Sequence, residues 1–579
     1  MRLRAHWMAL VCVLSMLAAP ALAAAPATPI VPKTTGTLAQ TPGHDAIASA
    51  HKLATQAGFE VLDEGGNAFD AAVAVAAALS VVEPESSGIG GGGFFLLHLA
   101  SDGKDVMLDA RETAPTGSSS KLYEDTDGKP DRDKSLNGAL AASIPGEPAA
   151  LVWMAQHYGK LPLSKSLSPA IKIAREGFQP DSKLLSALRE RADVIARYPG
   201  SAALFLPDGK PPQAGWVFKN PDLADTLERI AKYGDAGFYR GEFAQQLVKG
   251  VRATGGDWTL ADLKNYRVKE RAPIAFDYQP PGKSAFHIVS ASPPSSGGIV
   301  LAEMLNILSG FDLDKMDRAH RVHTIVEAMR RGYRDRTQYL GDPDFVSMPV
   351  AKLTSMAYAD KLRASIDPDR ATPSSALPGA APQPESMHTT HFSIIDKDGN
   401  MVAATQTVNT SFGSCLVIPG TGFALNNEMD DFALVPGKPN AYGLIGYDAN
   451  APKPGRRPLS SMSPTFVFGP ERVGVVGTPG GSRIITMVLE GVLDFVDGES
   501  AAQITAQPRF HHQYLPDVIS VEPDALDSGI VKTLEGMGYK VNAGERTWGD
   551  MNVVIWNRKA NMLDAASDPR GVSGLGEVK

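Results

Sequence analysis

The sequence changes character abruptly at one point, and that change most limits how the chain can fold. Residues 367–388 begin DPDRATPSSALPGAAPQPES, with prolines at 368, 373, 378, 382 and 384. Such a stretch is typical of an extended, mobile linker rather than of a core element. The linker stops at a β-rich segment, His388–Asp396, and a second β-rich segment follows at Met401–Asn409. Between them lies Asp398-Gly399-Asn400, which is a strong hairpin signal. The sequence therefore predicts a linker that leads directly into the first strand of a new sheet.

The register of the predicted hairpin indicates which side chains face each other. If the turn is centred near Asp398, Thr389 lies opposite Thr407, whereas a slip of one residue places Val408 there instead. Because side chains alternate along a strand, one face carries Thr405, Thr407 and Asn409. A second hydroxyl opposite Thr389 would hold its rotamer through a hydrogen bond. Threonine is also a good strand former, so the hairpin alone leaves a plain threonine-rich strand open as the alternative.

The boundary between the linker and the strand is a candidate processing point. The hydroxyl of Thr389 is placed to attack the carbonyl of His388 and to convert a peptide bond into an ester that water then opens. The new N-terminal threonine would carry a nucleophilic hydroxyl and an α-amine. Since an α-amine has a pKa of about 7.7–8.0, it suits a general base near neutral pH. Threonine activated by its own amine is a known catalytic arrangement.

The N-terminus predicts export. Two early arginines precede an apolar stretch, Trp7 to Leu17, and the small-residue site Ala21-Leu22-Ala23. This order is typical of a secretory signal peptide, which we assign to residues 1–23, with 24–42 as a flexible lead. The apolar stretch is too short for a permanent membrane span, and an uncleaved N-terminal anchor is the alternative.

Cysteine content indicates the cellular compartment of the protein, and net charge indicates which classes of partner it can bind. Signal removal leaves Cys415 alone, so the mature chain forms no internal disulfide, and most large animal ectodomains carry more cysteine. We therefore expect a bacterial periplasmic or secreted protein with no membrane span after signal removal. The net charge of −8 argues against a nucleic-acid-binding protein. The His511-His512 and His388/His391 pairs complete no ligand set, so we predict neither metal nor cofactor.

Periodicity and glycine placement predict the remaining elements. Helices are expected at Ala46 to Glu64 and at Ala68 to Val82, and region 147–366 is predicted to be mostly helical, with an amphipathic, arginine-rich run from Asp317 to Leu340. The run Gly88–Gly93 lacks the Lys-Ser/Thr of a nucleotide loop and indicates a close backbone approach. Further strands are expected at Phe94–Leu99, Asp105–Asp109, Gly422–Asn426, Thr465–Phe468, Val473–Val476, Val518–Val521 and Met551–Trp556.

Seven sequence blocks, taken together, resemble one enzyme family. They are DEGGNAFDAA from Asp63, TTHFS from Thr389, NNEMDDF from Asn426, RPLSSMSPT from Arg457, PGGSR from Pro479, PRFHHQ from Pro508 and SDPR from Ser567. The chain is similar to γ-glutamyltransferase (γ-glutamyltranspeptidase), of the N-terminal-nucleophile hydrolase superfamily, from about residue 43 to 575. Any single block is a modest signal, but seven blocks in the family's order are a specific one.

The resemblance implies a fold and a processing event. The expected fold is α+β, a four-layer α/β/β/α sandwich in which two central sheets lie between helical layers. It implies that one precursor cuts itself into a large subunit, 43–388, and a small catalytic subunit, 389–579. Both subunits are expected to stay together, because elements from each fill one core.

The resemblance also implies how a γ-glutamyl group is held. Arg111 matches the family's carboxylate-binding arginine, whose planar fork suits a carboxylate; a surface salt bridge to Glu112 or Asp109 is the alternative interpretation. Asp431 and Glu428 match the residues that hold the substrate ammonium, with Asn409 assisting, and Asp430 is the neighbouring alternative to Asp431. Ser460 and Ser461 match the family's hydroxyls that contact the substrate carboxylate. The alternative interpretation is that these two serines only form a turn.

The oxyanion hole and the lid are implied in the same way. Gly480 and Gly481 lie between a predicted strand and a predicted helix, where free backbone N–H groups stabilise an anion, although a simple strand-to-helix turn has the same signature. The segment Pro436 to Asn450, with Tyr442, resembles the lid loop found in many members of the family. A lid with an aromatic tip would restrict access of water and of large acyl donors.

The activity that follows is acyl transfer from a γ-glutamyl amide such as glutathione, through a γ-glutamyl ester of Thr389, to water or to an amino acid or peptide. A cephalosporin acylase on the same scaffold, which accepts glutaryl or adipyl groups without an ammonium, is the enzyme alternative. An uncleaved homologue that only binds γ-glutamyl compounds is the non-enzyme alternative. The acidic pair Asp431 and Glu428 favours the first, and the intact set of Thr389, Thr407 and the two glycines argues against the last.

Overall fold

The structure is a computed structural model, and it describes residues 38–377, 388–435, 438, 441, 444 and 446–579. The predicted signal peptide, most of the predicted lead and Tyr442 lie outside the described residues. So does the second half of the predicted linker before His388.

The strands of the described residues begin close to the N-terminal boundary of the family likeness and continue to the C-terminus. They are β1 (Ala46–Ser49), β2 (Gly92–Leu99), β3 (Lys104–Ala110), β4 (Lys269–Arg271), β5 (Ile274–Tyr278), β6 (Phe286–Ser290), β7 (Thr390–Ile395), β8 (Met401–Thr407), β9 (Thr465–Phe468), β10 (Arg472–Gly477), β11 (Phe510–His511), β12 (Ile519–Val521), β13 (Val541–Ala543), β14 (Asn552–Asn557), β15 (Met562–Ser567) and β16 (Leu575–Val578).

The helices of the described residues are concentrated before the hairpin. They are α1 (Lys52–Asp63), α2 (Ala68–Val82), α3 (Arg132–Leu136), α4 (Glu147–His157), α5 (Leu163–Glu176), α6 (Ser182–Ile195), α7 (Pro199–Phe205), α8 (Pro221–Tyr233), α9 (Ala236–Tyr239), α10 (Gly241–Ala253), α11 (Leu260–Asn265), α12 (Gly297–Leu308), α13 (Arg318–Tyr339), α14 (Val350–Leu353), α15 (Met356–Arg363), α16 (Ile484–Asp497), α17 (Ala501–Ala506) and α18 (Ser528–Gly536).

Two large sheets form the centre of the molecule. One has the strand order β16-β1-β7-β8-β2-β3-β4, and the other has the order β15-β14-β10-β9-β6-β5. They pack face to face, with β7 and β8 against β10 and β14. Helices α1 and α2 cover the outer face of the first sheet, while α12 and α16 cover the outer face of the second. The predicted α+β fold with four layers, α/β/β/α, is confirmed.

The hairpin of β7 and β8 has the predicted register. Thr390 pairs with Gln406, His391 with Thr405 and Ile395 with Met401, so the next position places Thr389 opposite Thr407 rather than Val408. Within β7, alternate side chains face different layers, since Phe392 and Ile394 belong to the core under α1 and α2. The intervening side chains of His391 and Ser393 face the second sheet, where the Ser393 hydroxyl donates to the Asn552 carbonyl at 2.9 Å.

Two predicted elements were wrong. The stretch predicted as one helix from Ala46 to Glu64 begins with strand β1, and helix α1 starts only at Lys52. β1 is fully buried between β7 and β16, so pairing with distant strands overrides the helix propensity of its alanines. Gly422–Asn426 forms only an isolated bridge, between Val417 and Ala424, because Gly422 has a φ of +79° that breaks the extended course. Region 147–366 is mostly helical as predicted but also contains β4, β5 and β6.

The first half of the predicted linker is packed against the protein. Ser374 lies in a short 3-10 turn and is buried. Its hydroxyl donates to the Tyr514 carbonyl at 2.6 Å, and its backbone N–H donates to Asp517 at 2.7 Å. Over residues 367–377 the chain is therefore docked rather than extended and free, because these hydrogen bonds outweigh the proline-rich composition.

Among the described residues, every helix is either too short or too polar to cross a lipid bilayer.

Candidate active site

The structure contains the uncut chain and places the hydroxyl of Thr389 beside the bond that precedes it. Thr389 lies one residue before β7 and is buried. Its Oγ1 donates to the His388 carbonyl oxygen at 2.6 Å and lies 3.1 Å from Thr407 Oγ1. Thr407 Oγ1 also lies 3.2 Å from the His388 carbonyl and accepts the Asn409 backbone N–H at 2.8 Å. Two hydroxyls therefore converge on one peptide carbonyl.

Glycines allow the neighbouring backbone to approach this hairpin closely. β2 pairs with β8, with Gly92 opposite Thr407. A Cβ atom at Gly91 would lie 2.0 Å from the Thr407 carbonyl oxygen, and one at Gly93 would lie 2.5 Å from the Thr405 carbonyl oxygen. The predicted close backbone approach is confirmed at Gly91 and Gly93, where any side chain would displace the strand that carries Thr407, whereas a Cβ atom at Gly88 would meet nothing within 4 Å.

Arg111 lies directly after β3 and is almost fully buried, so it is not a surface residue. Its Nη1 lies 2.6 Å from Glu428 and 3.4 Å from Glu112, and its Nη2 lies 2.5 Å from Asp431. Its Nε donates to the Pro458 carbonyl at 3.2 Å. The resemblance assigned Arg111 to the carboxylate of a substrate and Glu428 and Asp431 to its ammonium, and in the structure these three side chains contact each other.

Burial and mutual repulsion control the charges of this cluster. Burial disfavours a charged guanidinium, but Glu428, Glu112 and Asp431 outweigh that cost, and the pKa of Arg111 is raised. Burial, together with repulsion from Glu112 and Asp431, raises the pKa of Glu428 well above its ordinary value although Arg111 opposes this. Burial likewise raises the pKa of Glu112 to about 7. Glu428 and Glu112 can therefore hold protons that exposed glutamates would release.

Asp430, the neighbouring alternative to Asp431, has other contacts. Its Oδ1 accepts hydrogen bonds at 2.7 Å from both Arg132 and Ser135, and its Oδ2 accepts the Ala441 backbone N–H at 2.7 Å. Asp430 thus fastens a loop, whereas Asp431 contacts Arg111.

Ser460 and Ser461 line the cavity that also contains Thr389 and Arg111. Ser461 Oγ accepts a hydrogen bond from Arg336 Nη2 at 3.3 Å. Ser460 Oγ accepts the Met462 backbone N–H at 3.1 Å, and the Ser460 carbonyl accepts the Ser296 hydroxyl at 2.7 Å. Both serines are buried, and their segment is held by the neighbouring chain rather than exposed as a free turn.

The two glycines connect β10 to α16 and adopt conformations that favour glycine. Gly480 has a φ of +139° and Gly481 a φ of +58°. Gly481 lines the cavity, and Gly480 precedes it. A Cβ at Gly480 would lie 2.5 Å from Met487 Cε. The predicted position between a strand and a helix is confirmed, with a short 3-10 turn, Gly481–Arg483, leading into α16.

One cavity brings almost all of these residues together. Its lining comprises Arg111, Arg336, Thr389, Thr407, Asn409, Glu428, Asp431, Leu444, Leu459, Ser460, Ser461, Met462, Gly481 and Ile484. Leu444 belongs to the predicted lid segment. Asn409, at a φ of +80°, donates from its side-chain amide to the Asn427 carbonyl at 3.0 Å.

Arg336 is the charged lining residue that the sequence analysis missed. It lies near the C-terminal end of α13, the helix whose arginine-rich run was predicted. A signal was present in the spacing, because Val322, Met329, Tyr333 and Arg336 follow one another at helical intervals of seven, four and three, which places the arginine on the buried stripe.

Comparison with known proteins identifies the family. The family model for gamma-glutamyltranspeptidase matches residues 54–577. The chain belongs to the γ-glutamyltranspeptidase family. The resemblance stated from the sequence blocks is thereby confirmed, and the protein is an enzyme of that family.

Individual γ-glutamyltranspeptidase relatives and related solved structures are similar to this chain over most of its length. It is 43% identical over 539 residues to a glutathione hydrolase proenzyme of Escherichia coli (strain K12), covering 91% of each chain. A cephalosporin acylase structure from Bacillus halodurans aligns with a TM-score of 0.80 at 29% identity, covering 96% of this chain and 98% of that one. A Helicobacter pylori gamma-glutamyltranspeptidase structure aligns with a TM-score of 0.55 at 40% identity, covering 60% of this chain and 97% of that one.

Proposed function

We propose that this protein is a self-processing γ-glutamyl hydrolase and transferase that acts on glutathione and related γ-glutamyl amides. The observation that carries the proposal is the convergence of the Thr389 hydroxyl on the His388 carbonyl, at 2.6 Å, in the cavity that also contains Arg111 and Asp431. A nucleophile, a cation and an anion in one small cavity match the amide, carboxylate and ammonium of a γ-glutamyl group. Family membership and the E. coli glutathione hydrolase relative support the same substrate class.

Maturation begins at the bond between His388 and Thr389. Thr389 Oγ1 attacks the His388 carbonyl carbon; the C–O bond forms, the C–N bond breaks, and the Thr389 nitrogen takes the proton. Water then hydrolyses the ester and releases the His388 carboxylate and a free Thr389 amine. The hydroxyl of Thr407, 3.2 Å from the same carbonyl oxygen, is placed to stabilise the developing negative charge. The products are the large subunit 43–388 and the small subunit 389–579.

The mature reaction uses the same oxygen. The free amine of Thr389 takes the hydroxyl proton while Oγ1 attacks the γ-carbonyl of the donor, and the amide nitrogen leaves with a proton. The backbone N–H groups of Gly480 and Gly481 are the proposed oxyanion hole. Water or the amine of an amino acid or peptide then attacks the γ-glutamyl ester, so hydrolysis and transpeptidation compete for one intermediate.

Substrate binding replaces an internal ion-pair cluster. Arg111 contacts Glu428 and Asp431 directly, at 2.6 and 2.5 Å. A bound γ-glutamyl group would give Arg111, Ser460 and Ser461 its α-carboxylate and would give Asp431, Glu428 and Asn409 its ammonium. The zwitterionic end of the substrate thus exchanges one set of buried ion pairs for another, which limits the desolvation cost of binding.

Cephalosporin acylase activity on the same scaffold is the second candidate, and the fold similarity to the B. halodurans acylase supports it. A glutaryl or adipyl group offers no ammonium to Asp431 and Glu428. It would leave these two carboxylates without a cationic partner from the substrate while adding a further carboxylate to the same cavity. We therefore favour the γ-glutamyl group.

The proposed site of action is the bacterial periplasm or cell exterior. The charged start, the short apolar stretch and the small-residue cleavage site of the first 23 residues support export. Mass spectrometry of the secreted or periplasmic protein would report the N-terminus of the large subunit.

The test is to purify the protein and examine it on a denaturing gel, by mass spectrometry, and with γ-glutamyl and glutaryl p-nitroanilides. We expect two bands, Thr389 at the N-terminus of the smaller, and faster turnover of the γ-glutamyl compound. One full-length, active band would contradict the proposed nucleophile, and faster turnover of the glutaryl compound would assign the protein to the acylases.

A further inference from the structure

The guanidinium of Arg336 is buried without a carboxylate partner. Its Nε donates to the Ser296 hydroxyl at 2.9 Å and its Nη2 to the Ser461 hydroxyl at 3.3 Å. Within the described residues its Nη1 has no hydrogen-bond partner, and no carboxylate oxygen lies within 4.0 Å of the guanidinium. Only 4% of Arg336 is exposed. Burial lowers its pKa to about 10, which is the expected consequence of an uncompensated charge.

Among the described residues, most other fully buried arginines have a carboxylate partner. Each of the following contacts a carboxylate: Arg111, Arg330, Arg331, Arg457 and Arg509. Arg456 also lacks a carboxylate, but its Nη1 is occupied by the carbonyls of Asp448 and Ala451 and its guanidinium lies over the Phe345 ring. Burial of an unpaired charge is costly, so an arginine with an open donor at the wall of a cavity is the arrangement expected where an anion binds.

The cavity identifies the anion. Arg336 and Thr389 line the same cavity, and Arg336 is hydrogen-bonded to Ser461, one of the two serines proposed for the α-carboxylate. Because Ser461 Oγ accepts from Arg336, its own hydroxyl proton remains able to donate to a substrate oxygen. The charges agree with this assignment, since Arg111 already faces Glu428 and Asp431 and would not by itself give an incoming carboxylate a net positive environment.

We propose that Arg336 is a second substrate-binding cation, which acts with Ser461 and alongside Arg111 to bind the α-carboxylate of the acyl donor. This inference rests on the proposed γ-glutamyl function and extends it to a residue of α13. The planar guanidinium of Arg336 would donate a hydrogen bond from Nη1 to the substrate carboxylate while Nη2 keeps its hydrogen bond to Ser461. Arg336 would thereby select donors that carry a free carboxylate next to the ammonium.

The test compares two substrates that differ by one charge. One is L-γ-glutamyl p-nitroanilide, and the other is the same compound with its α-carboxylate replaced by a carboxamide. The ratio of their kcat/KM values measures recognition of the carboxylate. In Arg336→Gln we expect this ratio to fall about 10- to 100-fold, because a hydrogen bond to a charged group is lost. Most of the change should appear in KM for the charged substrate.

A matched control separates recognition from general damage. Arg456→Gln removes another buried arginine without a carboxylate partner, and it should lower the melting temperature without changing the substrate ratio. If Arg336→Gln lowers turnover of both substrates equally, the role is structural and the proposal is overturned. If its loss is confined to glutathione, whose leaving group carries a carboxylate that the anilides lack, Arg336 serves the leaving group and the proposal is likewise overturned.

Failure of this inference is distinguishable from failure of the proposed function. If the wild-type protein does not turn over γ-glutamyl anilide, the proposed function itself is wrong. A structure of the processed wild-type enzyme with L-glutamate bound needs no variant, so it decides the question even if Arg336→Gln does not fold. We expect a carboxylate oxygen within about 3.2 Å of an Arg336 Nη atom. An Arg336 that keeps its present contacts and does not reach the carboxylate would overturn the inference.

Discussion

The hydroxyl oxygens of Thr389 and Thr407 lie 3.1 Å apart, at the position that directly follows the last paired residues of the β7–β8 hairpin. This contact joins the first residue of the proposed small subunit to the end of its second strand. Because Thr407 is fixed in turn by the Asn409 backbone N–H, the rotamer of Thr389 is set by strand register before any cut occurs.

Replacement of Thr389 removes the proposed nucleophile. We expect Thr389→Ala to remain a single full-length chain without measurable anilide turnover, because neither the ester nor the free amine can form. Thr389→Ser keeps the hydroxyl and should still mature, at a lower rate. A denaturing gel and the γ-glutamyl anilide assay measure both outcomes. Activity in the alanine variant would contradict the assignment.

Replacement of Thr407 tests the second hydroxyl. Thr407→Val keeps the shape of the side chain but loses the hydrogen bonds to Thr389 and His388. We expect self-cleavage, which loses the bond to the His388 carbonyl, and kcat, which loses the bond to Thr389, each to fall by roughly 2- to 10-fold, the usual effect of one neutral hydrogen bond. Thr407→Ser is the control and should stay close to wild type. A valine variant that matures and turns over normally would show that the contact has no role.

Asp431 is expected to recognise the ammonium rather than the acyl chain. We predict that Asp431→Asn lowers kcat/KM for γ-glutamyl anilide by about 10- to 100-fold, because a charge-assisted contact is lost. Glutaryl anilide, which has no ammonium, should lose much less. Asp430→Asn is a matched control, since Asp430 contacts Arg132 and Ser135, and it should leave the ratio of the two substrates unchanged. Equal losses for both substrates in Asp431→Asn would exclude ammonium recognition.

Gly480 is expected to tolerate no side chain. Gly480→Ala introduces a Cβ at 2.5 Å from Met487 Cε in a backbone with a φ of +139°. Displacement of this loop should lower kcat by about 10²–10³, the cost of one oxyanion-hole donor. Gly498→Ala, at the other end of α16 with a φ of +95° and no close contact, is the control for backbone strain and should lower only the melting temperature. A normal kcat in Gly480→Ala would place the oxyanion hole elsewhere.

Asp494 should make stability depend on pH. Burial, reinforced by the neighbouring Asp497, raises the pKa of Asp494 from about 3.8 to about 7. Between these values the folded state holds a proton that the unfolded state releases, so this group lowers the free energy of unfolding as pH rises through that window. We expect Asp494→Asn to melt higher than wild type at pH 8 and to show little advantage at pH 4.

The control for this effect is Asp497→Asn. Asp497 forms ion pairs with Lys283 and Arg321, so its removal should not raise the melting temperature in the same way. A melting-temperature difference between wild type and Asp494→Asn that does not change with pH would show that Asp494 is ionised in the folded state.

Local signals in the sequence predicted the hairpin correctly. A turn centred near Asp398 predicted its register to within a slip of one residue, and the observed pair Thr390–Gln406 decides for Thr407 opposite Thr389. The helix Ala68–Val82 was likewise predicted correctly, and in the structure Asn67 begins it with a capping box. These features depend on neighbours within a few residues, where propensity and turn chemistry are decisive.

Features that depend on distant contacts could not be predicted in the same way. β1 was mistaken for helix, because its partners β7 and β16 are remote in the sequence. Arg336 was overlooked, because an arginine in an amphipathic helix usually faces solvent and only its tertiary surroundings show that it lines the cavity. The direct contact of Arg111 with Glu428 and Asp431 was also unforeseen, since it joins segments that only the assembled sheets bring together.

β1 precedes the proposed cut in the sequence, whereas β7 and β16 come after the cut. β1 is nevertheless hydrogen-bonded to β7 on one side and to β16 on the other. After scission, a strand of the large subunit would lie between two strands of the small subunit and be hydrogen-bonded to both. Separation of the two subunits would expose the backbone N–H and C=O groups on both edges of β1. Exposed strand edges are prone to aggregation, which would compete with reassociation of the subunits. Denaturation of the mature enzyme should therefore be difficult to reverse, whereas the uncut Thr389→Ala chain, whose halves remain tethered, should refold far more readily.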